Sequence, residues 1–147
     1  MEIRKLEYND LPQLSLLYKD FWNEDSDIQK MERVFSKLED NDSYIFLCAV
    51  ENNKICGSIM GIVCYELYGN CDPFLVVENM IVDVNYRKKG IGKYLFMEIE
   101  NTAREKKCRQ IILVTESTRK DACSFYESIG FDPLKNKGYK KKIKQEN

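Results

Sequence analysis

The chain has no histidine among its 147 residues. This excludes Ser-His and Cys-His hydrolase chemistry and leaves any general base to a carboxylate, a lysine, a tyrosine, a cysteine, the N-terminus or a water relay. It also removes the usual partner for a zinc site. The six cysteines, at positions 48, 56, 64, 71, 108 and 123, include no C-x-x-C pair, so no metal is expected. They read instead as reduced, mostly buried thiols. No apolar run approaches the roughly eighteen residues needed to cross a bilayer, and "MEIRKLEYND" lacks the cationic stretch and apolar segment of a leader. A cytoplasmic protein with no membrane partner is expected. There is no basic excess either: 23 Lys and Arg stand against 24 Asp and Glu, so no nucleic-acid partner is expected.

What is present is the composition of a globular domain, 44% hydrophobic and 32% charged. The length suits a single domain over residues 1–147. Residues 2–7 read as a strand. Asn9 or Asp10 is then a helix N-cap, with Pro12 in the first turn and Leu14, Leu17, Tyr18 and Phe21 at helical spacing. Ser26 and Gln29 form a capping box ahead of Ile28, Met31, Val34, Phe35 and Leu38. "YIFLCAV" and "KICGSIMGIVCYEL" flank the turn "ENNK" as an antiparallel hairpin, and "PFLVVENMIVDV" is a further strand. Ile91, Leu95, Phe96, Ile99 and Ala103 make the stripe of a long helix. "QIILVTE" then reads as a strand buried on both faces, parallel to the preceding one across a right-handed crossover. A helix over about 119–129 stops at Gly130, and "KGYKKKIK" closes the chain as an edge strand. The pattern is α/β, in the α+β sense.

The stretch "YRKKGIGKYL" puts a glycine-containing loop between a strand and a helix start, where free amides and the positive end of the helix dipole suit phosphate. Gly90 and Gly92 allow close approach of backbone to an anion, and Arg87, Lys88, Lys89 and Lys93 can pair with phosphates. A P-loop would need glycine at Arg87 and Ser or Thr at Tyr94, and a dinucleotide fingerprint would need Gly or Ala at Leu95, so neither fits. A solvated basic turn capping an ordinary helix is the plain alternative.

A second constellation joins the first: "ACSFYESIGF" places Ala122, Phe125, Tyr126 and Ile129 on one helical face before Gly130. Together, Arg87-Lys-Lys-Gly90-Ile-Gly92 and Ala122-Cys-Ser-Phe125-Tyr126-Glu-Ser-Ile-Gly130-Phe131 resemble the Q/R-x-x-G-x-G/A and A-x-x-F-Y-x-x-x-G-F signatures of the GNAT superfamily of acyl-CoA N-acyltransferases. Val84, where proline is frequent, and Arg119, where asparagine is common, depart from that pattern. The resemblance implies the GNAT fold: a mixed, mostly antiparallel twisted sheet of six to seven strands, with the fourth and fifth parallel and splayed, flanked by about four helices. It implies acetyl-CoA as co-substrate, its pantetheine arm against the backbone of Met80, Ile81 and Val82. The pyrophosphate is implied on Arg87, Lys88, Lys89, Gly90, Ile91, Gly92 and Lys93.

Acetyl transfer to an amine needs a neutral nucleophile, stabilisation of the carbonyl oxygen and a proton for the departing thiolate. By the resemblance, Tyr126 is the proton donor; on spacing alone it reads rather as a core tyrosine. Glu78 is the candidate base, because a carboxylate inside an apolar strand is costly unless it has a partner or a task; a strand glutamate facing solvent is the alternative. Alternation would put Glu78 on the face of Met80 and Val82. The acceptor segments implied by the resemblance, "FWNEDSD" and "YELYGNCDP", combine aromatic and acidic residues, which suits a cationic amine; Asp25, Ser26 and Asp27 capping a helix, with Trp22 anchoring the helix junction, is the simpler alternative. The expected activity is N-acetylation of a small-molecule primary amine. A protein or peptide acceptor and a non-catalytic acyl-CoA-binding module are the alternatives, and a homodimer is carried over as common among relatives.

Overall fold

A computed structural model describes residues 1–146. The chain forms two compact units, one spanning Met1–Leu113 and the other beginning at Val114.

In the first unit, the elements run β1 (Glu2–Lys5), α1 (Leu11–Trp22), α2 (Ile28–Leu38), β2 (Tyr44–Glu51), β3 (Lys54–Cys64), β4 (Phe74–Val82), α3 (Ile91–Glu105) and β5 (Ile111–Ile112). The strands form one sheet in the order β1-β2-β3-β4-β5, antiparallel except for the parallel β4–β5 pair. The second unit carries α4 (Lys120–Ser128). Among the described residues the fold is the expected α/β one with four helices, and five strands replace the six to seven expected.

The missing strand is the tail: "KGYKKKIK" is assigned no strand. Its two apolar side chains, Tyr139 and Ile143, are 85% and 72% exposed, so pairing would bury little while aligning a run of lysines. "QIILVTE" contributes only Ile111 and Ile112 to the sheet, and Ile112 and Val114 are exposed, so it is not the doubly buried strand expected.

Two helix starts also differ from the sequence reading. The α2 cap is Asp27, whose Oδ1 accepts the Lys30 N–H at 3.0 Å, rather than Ser26. Asp10 precedes α1, but its carboxylate does not cap that helix. It accepts the Glu7 N–H at 2.8 Å and takes a two-pronged bond from Arg4 at 2.6 and 2.9 Å.

The two faces of the sheet are built differently. On one, Gly57 and Gly61 let α3 come close: a Cβ on Gly57 would lie 3.1 Å from Ile91 and Leu95, and one on Gly61 would lie 3.0 Å from Ile99. On the other, α1 and α2 cover a cluster of Leu6, Leu11, Leu14, Leu17, Phe35, Cys48, Ile55 and Ile81.

β4 changes face part-way along. Ser58 pairs with Ile81 but Met60 pairs with Glu78, so β4 carries one residue more than β3 across the same interval. This is a bulge, and Asn79 within it has φ of +50°, a left-handed conformation that asparagine adopts more readily than most residues. Val77 pairs with Gly61 on the α3 face, whereas Ile81 joins the α1–α2 cluster. The expected strict alternation of Glu78, Met80 and Val82 therefore fails at the bulge.

Candidate active site

The loop after β4 is shaped by local bonds. Asp83 Oδ1 accepts the Asn85 N–H at 2.9 Å, and Asp83 Oδ2 meets Lys54 Nζ at 3.0 Å. Burial works to raise the Asp83 carboxyl, but these hydrogen bonds outweigh it and hold the group below the usual carboxylate range. Lys88 at φ +62° and Gly90 at φ +81° then reverse the chain into α3. A side chain at Gly90 would be strained by that φ and would lie 3.3 Å from the Tyr94 ring. Tyr94 N–H makes the first bond of α3, to the Gly90 carbonyl at 3.0 Å, which leaves the amides of Ile91, Gly92 and Lys93 without intrahelical partners. Three donors and the positive dipole end meet at this point.

The basic residues around these amides have different surroundings. Arg87 turns back from the loop: its Nε donates to the Val82 carbonyl at 3.2 Å, and its guanidinium lies 5.7 Å from the Phe21 ring of α1. It braces the end of β4 against α1. Lys89 Nζ lies 4.8 Å from the Tyr86 ring and Lys54 Nζ lies 5.4 Å from it, so two cations share one aromatic face system. Lys88 and Lys93 are exposed.

Along β4, the parallel ladder with β5 comprises Leu75–Ile111 and Val76–Ile112 and then stops, immediately before the bulge. A bulge bends and twists its strand, which accounts for the short ladder. Met80, Ile81 and Val82 lie beyond it, on the stretch that leads into the loop.

Two cavities open on the α1–α2 side of β4. One, of about 410 Å³, is lined by Tyr18, Trp22, Glu24, Asp25, Ser26 and Asn79. The other, of about 480 Å³, is mainly apolar, lined by Leu11, Leu14, Met31, Phe35, Phe46 and Met60 among others, and it shares Tyr18, Ser26 and Asn79 with the first. Burial pushes the Tyr18 phenol up to about 12, a hydrogen bond with Ser58 opposing this only in part, so Tyr18 stays protonated at neutral pH. "FWNEDSD" thus contributes four residues to the polar cavity. "YELYGNCDP" contributes none to either lining; its Tyr65, Leu67 and Tyr68 are exposed, and Arg109 pairs with Glu66 at 2.7 Å.

Glu78 is exposed and lines neither cavity; its neighbour Asn79 lines both. Sequence reasoning passed over Asn79. The available signal was a second polar residue, beside Glu78, inside an apolar strand.

In the second unit, the Gly130 conformation explains the spacing of the α4 motif. At φ +107° Gly130 ends the helix, and the Phe131 N–H returns to the Tyr126 carbonyl at 3.1 Å. Tyr126 then lies edge-on to both Phe125 and Phe131, with ring centroids 5.4 and 6.0 Å away. Cys123 is half-buried on the same helix.

All six cysteines are free, but only Cys48 and Cys56 are buried; Cys71 is exposed and the others are half-buried. Burial raises the Cys48 thiol to about 11 and raises Cys56 and Cys108 as well, so none of these three is poised as a thiolate. No helix among the described residues is long and apolar enough to cross a membrane.

The sequence profile of the acetyltransferase (GNAT) family matches residues 11–131. The chain belongs to the GNAT acetyltransferase family. An acetyltransferase structure from Agrobacterium tumefaciens, titled as putative, shares its fold at a TM-score of 0.86 and 25% identity, over 99% of this chain and 100% of that one. A structure titled as an aminoglycoside acetyltransferase from an uncultured soil metagenomic sample, in complex with sisomicin, superposes at a TM-score of 0.79 and 23% identity, over 97% and 96% of the two chains. This last likeness is one of fold. In sequence, the chain is 40% identical over 55 residues to glucosamine 6-phosphate N-acetyltransferase of Trypanosoma brucei brucei, a match over 37% of this GNAT chain and 35% of that protein. The matches span less than half the length of several such curated relatives.

Proposed function

We propose that the chain is an N-acetyltransferase that transfers an acetyl group from acetyl-CoA to a primary amine of a small molecule by direct attack in a ternary complex. The observation that carries this reading is the start of α3: three amides without intrahelical partners behind a left-handed Gly90, reached directly from β4. A pyrophosphate fits those amides, and the amide-bearing arm of the co-substrate fits a strand edge. On this reading Met80, Ile81 and Val82 take the arm, and Gly90, Ile91, Gly92 and Lys93 take the phosphates with Lys88 and Lys89. Arg87 acts by bracing the strand end, since its guanidinium is committed to Val82 and Phe21. The family match crosses from the first unit into the second, which supports treating residues 1–147 as one domain.

In the reaction, a C–N bond forms as the thioester C–S bond breaks. Glu78, which lines neither cavity beside β4, takes the proton released by the amine through water, and Tyr126 donates toward the departing sulfur. A phenol has a reference pKa of about 10. Against a thiol at about 8.5, full transfer costs roughly 2 kcal/mol, so donation is expected as a hydrogen bond that strengthens while the C–S bond breaks. With its thiols reduced, the protein suits a cytoplasmic compartment on this reading.

Calorimetric titration with acetyl-CoA, with ATP and NAD as controls, tests the reading. Micromolar binding of acetyl-CoA alone is the expected result. Preference for ATP or NAD, or no binding, would overturn it.

A further inference from the structure

We propose that the acceptor is a monocationic amine bearing an apolar group; this deepens, and rests on, the N-acetyltransferase reading above. The two cavities beside β4 meet at Tyr18, Ser26 and Asn79 and differ in chemistry. The 410 Å³ cavity presents the Trp22 ring with the Glu24 and Asp25 carboxylates. Lys19 pairs with Asp25 at 2.8 Å, so Glu24 is the carboxylate left to offset an incoming ammonium, in a cavity that the exposed Trp22 ring also lines.

The 480 Å³ cavity is a different solvent: Leu14, Met31, Phe35, Phe46 and Met60 contribute to its lining, and its charged residues are Asp27 and Lys30. The Asp27 carboxylate is already committed to capping α2. A second ammonium placed there would meet Lys30 beside a carboxylate with one oxygen already engaged in the cap, and would lose its hydration to apolar walls. An aryl or alkyl group gains by the same transfer. The molecule that satisfies both cavities carries one amine at the Trp22–Glu24 end and an apolar group across Tyr18 and Asn79. A polycation satisfies only the first cavity, and a small polar amine leaves the second one hydrated.

Initial rates with acetyl-CoA, read as acetylated product by mass spectrometry, compare 2-phenylethylamine, ethanolamine and putrescine, alongside the acetyl-CoA titration. The expected result is a kcat/KM for 2-phenylethylamine about tenfold or more above the other two. Val34→Asn introduces a polar group on the apolar lining at a position 45% exposed, where the fold tolerates it, and is expected to narrow that ratio. Glu24→Gln is expected to raise KM for 2-phenylethylamine. Equal or better turnover of putrescine or ethanolamine, or a ratio unmoved by Val34→Asn, overturns the proposal. Intact acetyl-CoA binding with none of the three amines acetylated overturns the acceptor class alone. Loss of acetyl-CoA binding removes the activity on which the class rests.

Discussion

The two faces of the sheet solve opposite problems. On the α3 face, glycines at 57 and 61 bring helix and strand so close that a single added carbon would sit 3.0–3.1 Å from its neighbours. On the α1–α2 face, large side chains hold the helices off the strands and leave cavities of about 410 and 480 Å³. Close packing fixes the direction in which α3 presents its first amides, and a group of backbone donors has no side-chain freedom with which to adapt. The open face leaves unfilled space beside β4. The bulge at Asn79 lets a single strand serve both, because one extra residue turns β4 from the packed face toward the open one.

The comparison can be broken by steric tests first. Gly57→Val should cost roughly 3 kcal/mol or more in chemical denaturation, since the new side chain meets the Ile81 carbonyl as well as Ile91 and Leu95. Val34→Leu on the open face should cost less than about 1 kcal/mol. Equal losses would show that the two faces are packed alike.

Next in size is the brace at the start of the open face. Asp10 is buried, and the Arg4 hydrogen bond holds its carboxyl below the usual range, burial opposing. Asp10→Asn should lose roughly 2 kcal/mol at neutral pH. Because the folded value lies below the unfolded one of about 3.9, this stabilisation is complete above that pH and disappears as pH falls through the folded value. The gap between wild type and Asp10→Asn should therefore close only in acid, and a gap that closed near neutrality would contradict the ion pair.

Smaller effects sharpen the catalytic reading. Tyr126→Phe should lower kcat about tenfold or more, roughly 1.4 kcal/mol in barrier, with acetyl-CoA affinity retained. Unchanged turnover would return Tyr126 to a purely packing role between Phe125 and Phe131. Glu78→Gln should remove the acidic limb of the pH–rate profile; a limb that survives assigns the base elsewhere. Lys93→Gln should weaken acetyl-CoA binding by less than about 1 kcal/mol, and the difference should shrink at high salt, because the residue is exposed.

Local features were legible in the sequence because short-range chemistry determines them. The glycine loop between β4 and α3, the α3 stripe, the β2–β3 hairpin and the α4 ending at Gly130 follow from residues a few positions apart. "FWNEDSD" carried two readings, a helix cap and an acceptor wall: Asp27 does cap α2, and Trp22, Glu24 and Asp25 line a cavity in which the acceptor remains a proposal. Asn79 and the turned-back Arg87 were not legible. Each depends on partners distant in sequence: the β3 register for Asn79, and Phe21 of α1 for Arg87. The edge strand expected over the tail does not form, and Tyr139 and Ile143 there stay exposed.

By itself, the sequence determined the α/β class, the family and the glycine loop at the start of α3, since periodicity, glycine conformation and helix-end chemistry act over a few residues. Only the tertiary structure decided which way β4 faces past Val77, how far the parallel ladder runs and which side chains meet around the cavities. Strand register and bulges are set by pairing between distant segments, and one extra residue in one strand reverses the faces of those that follow.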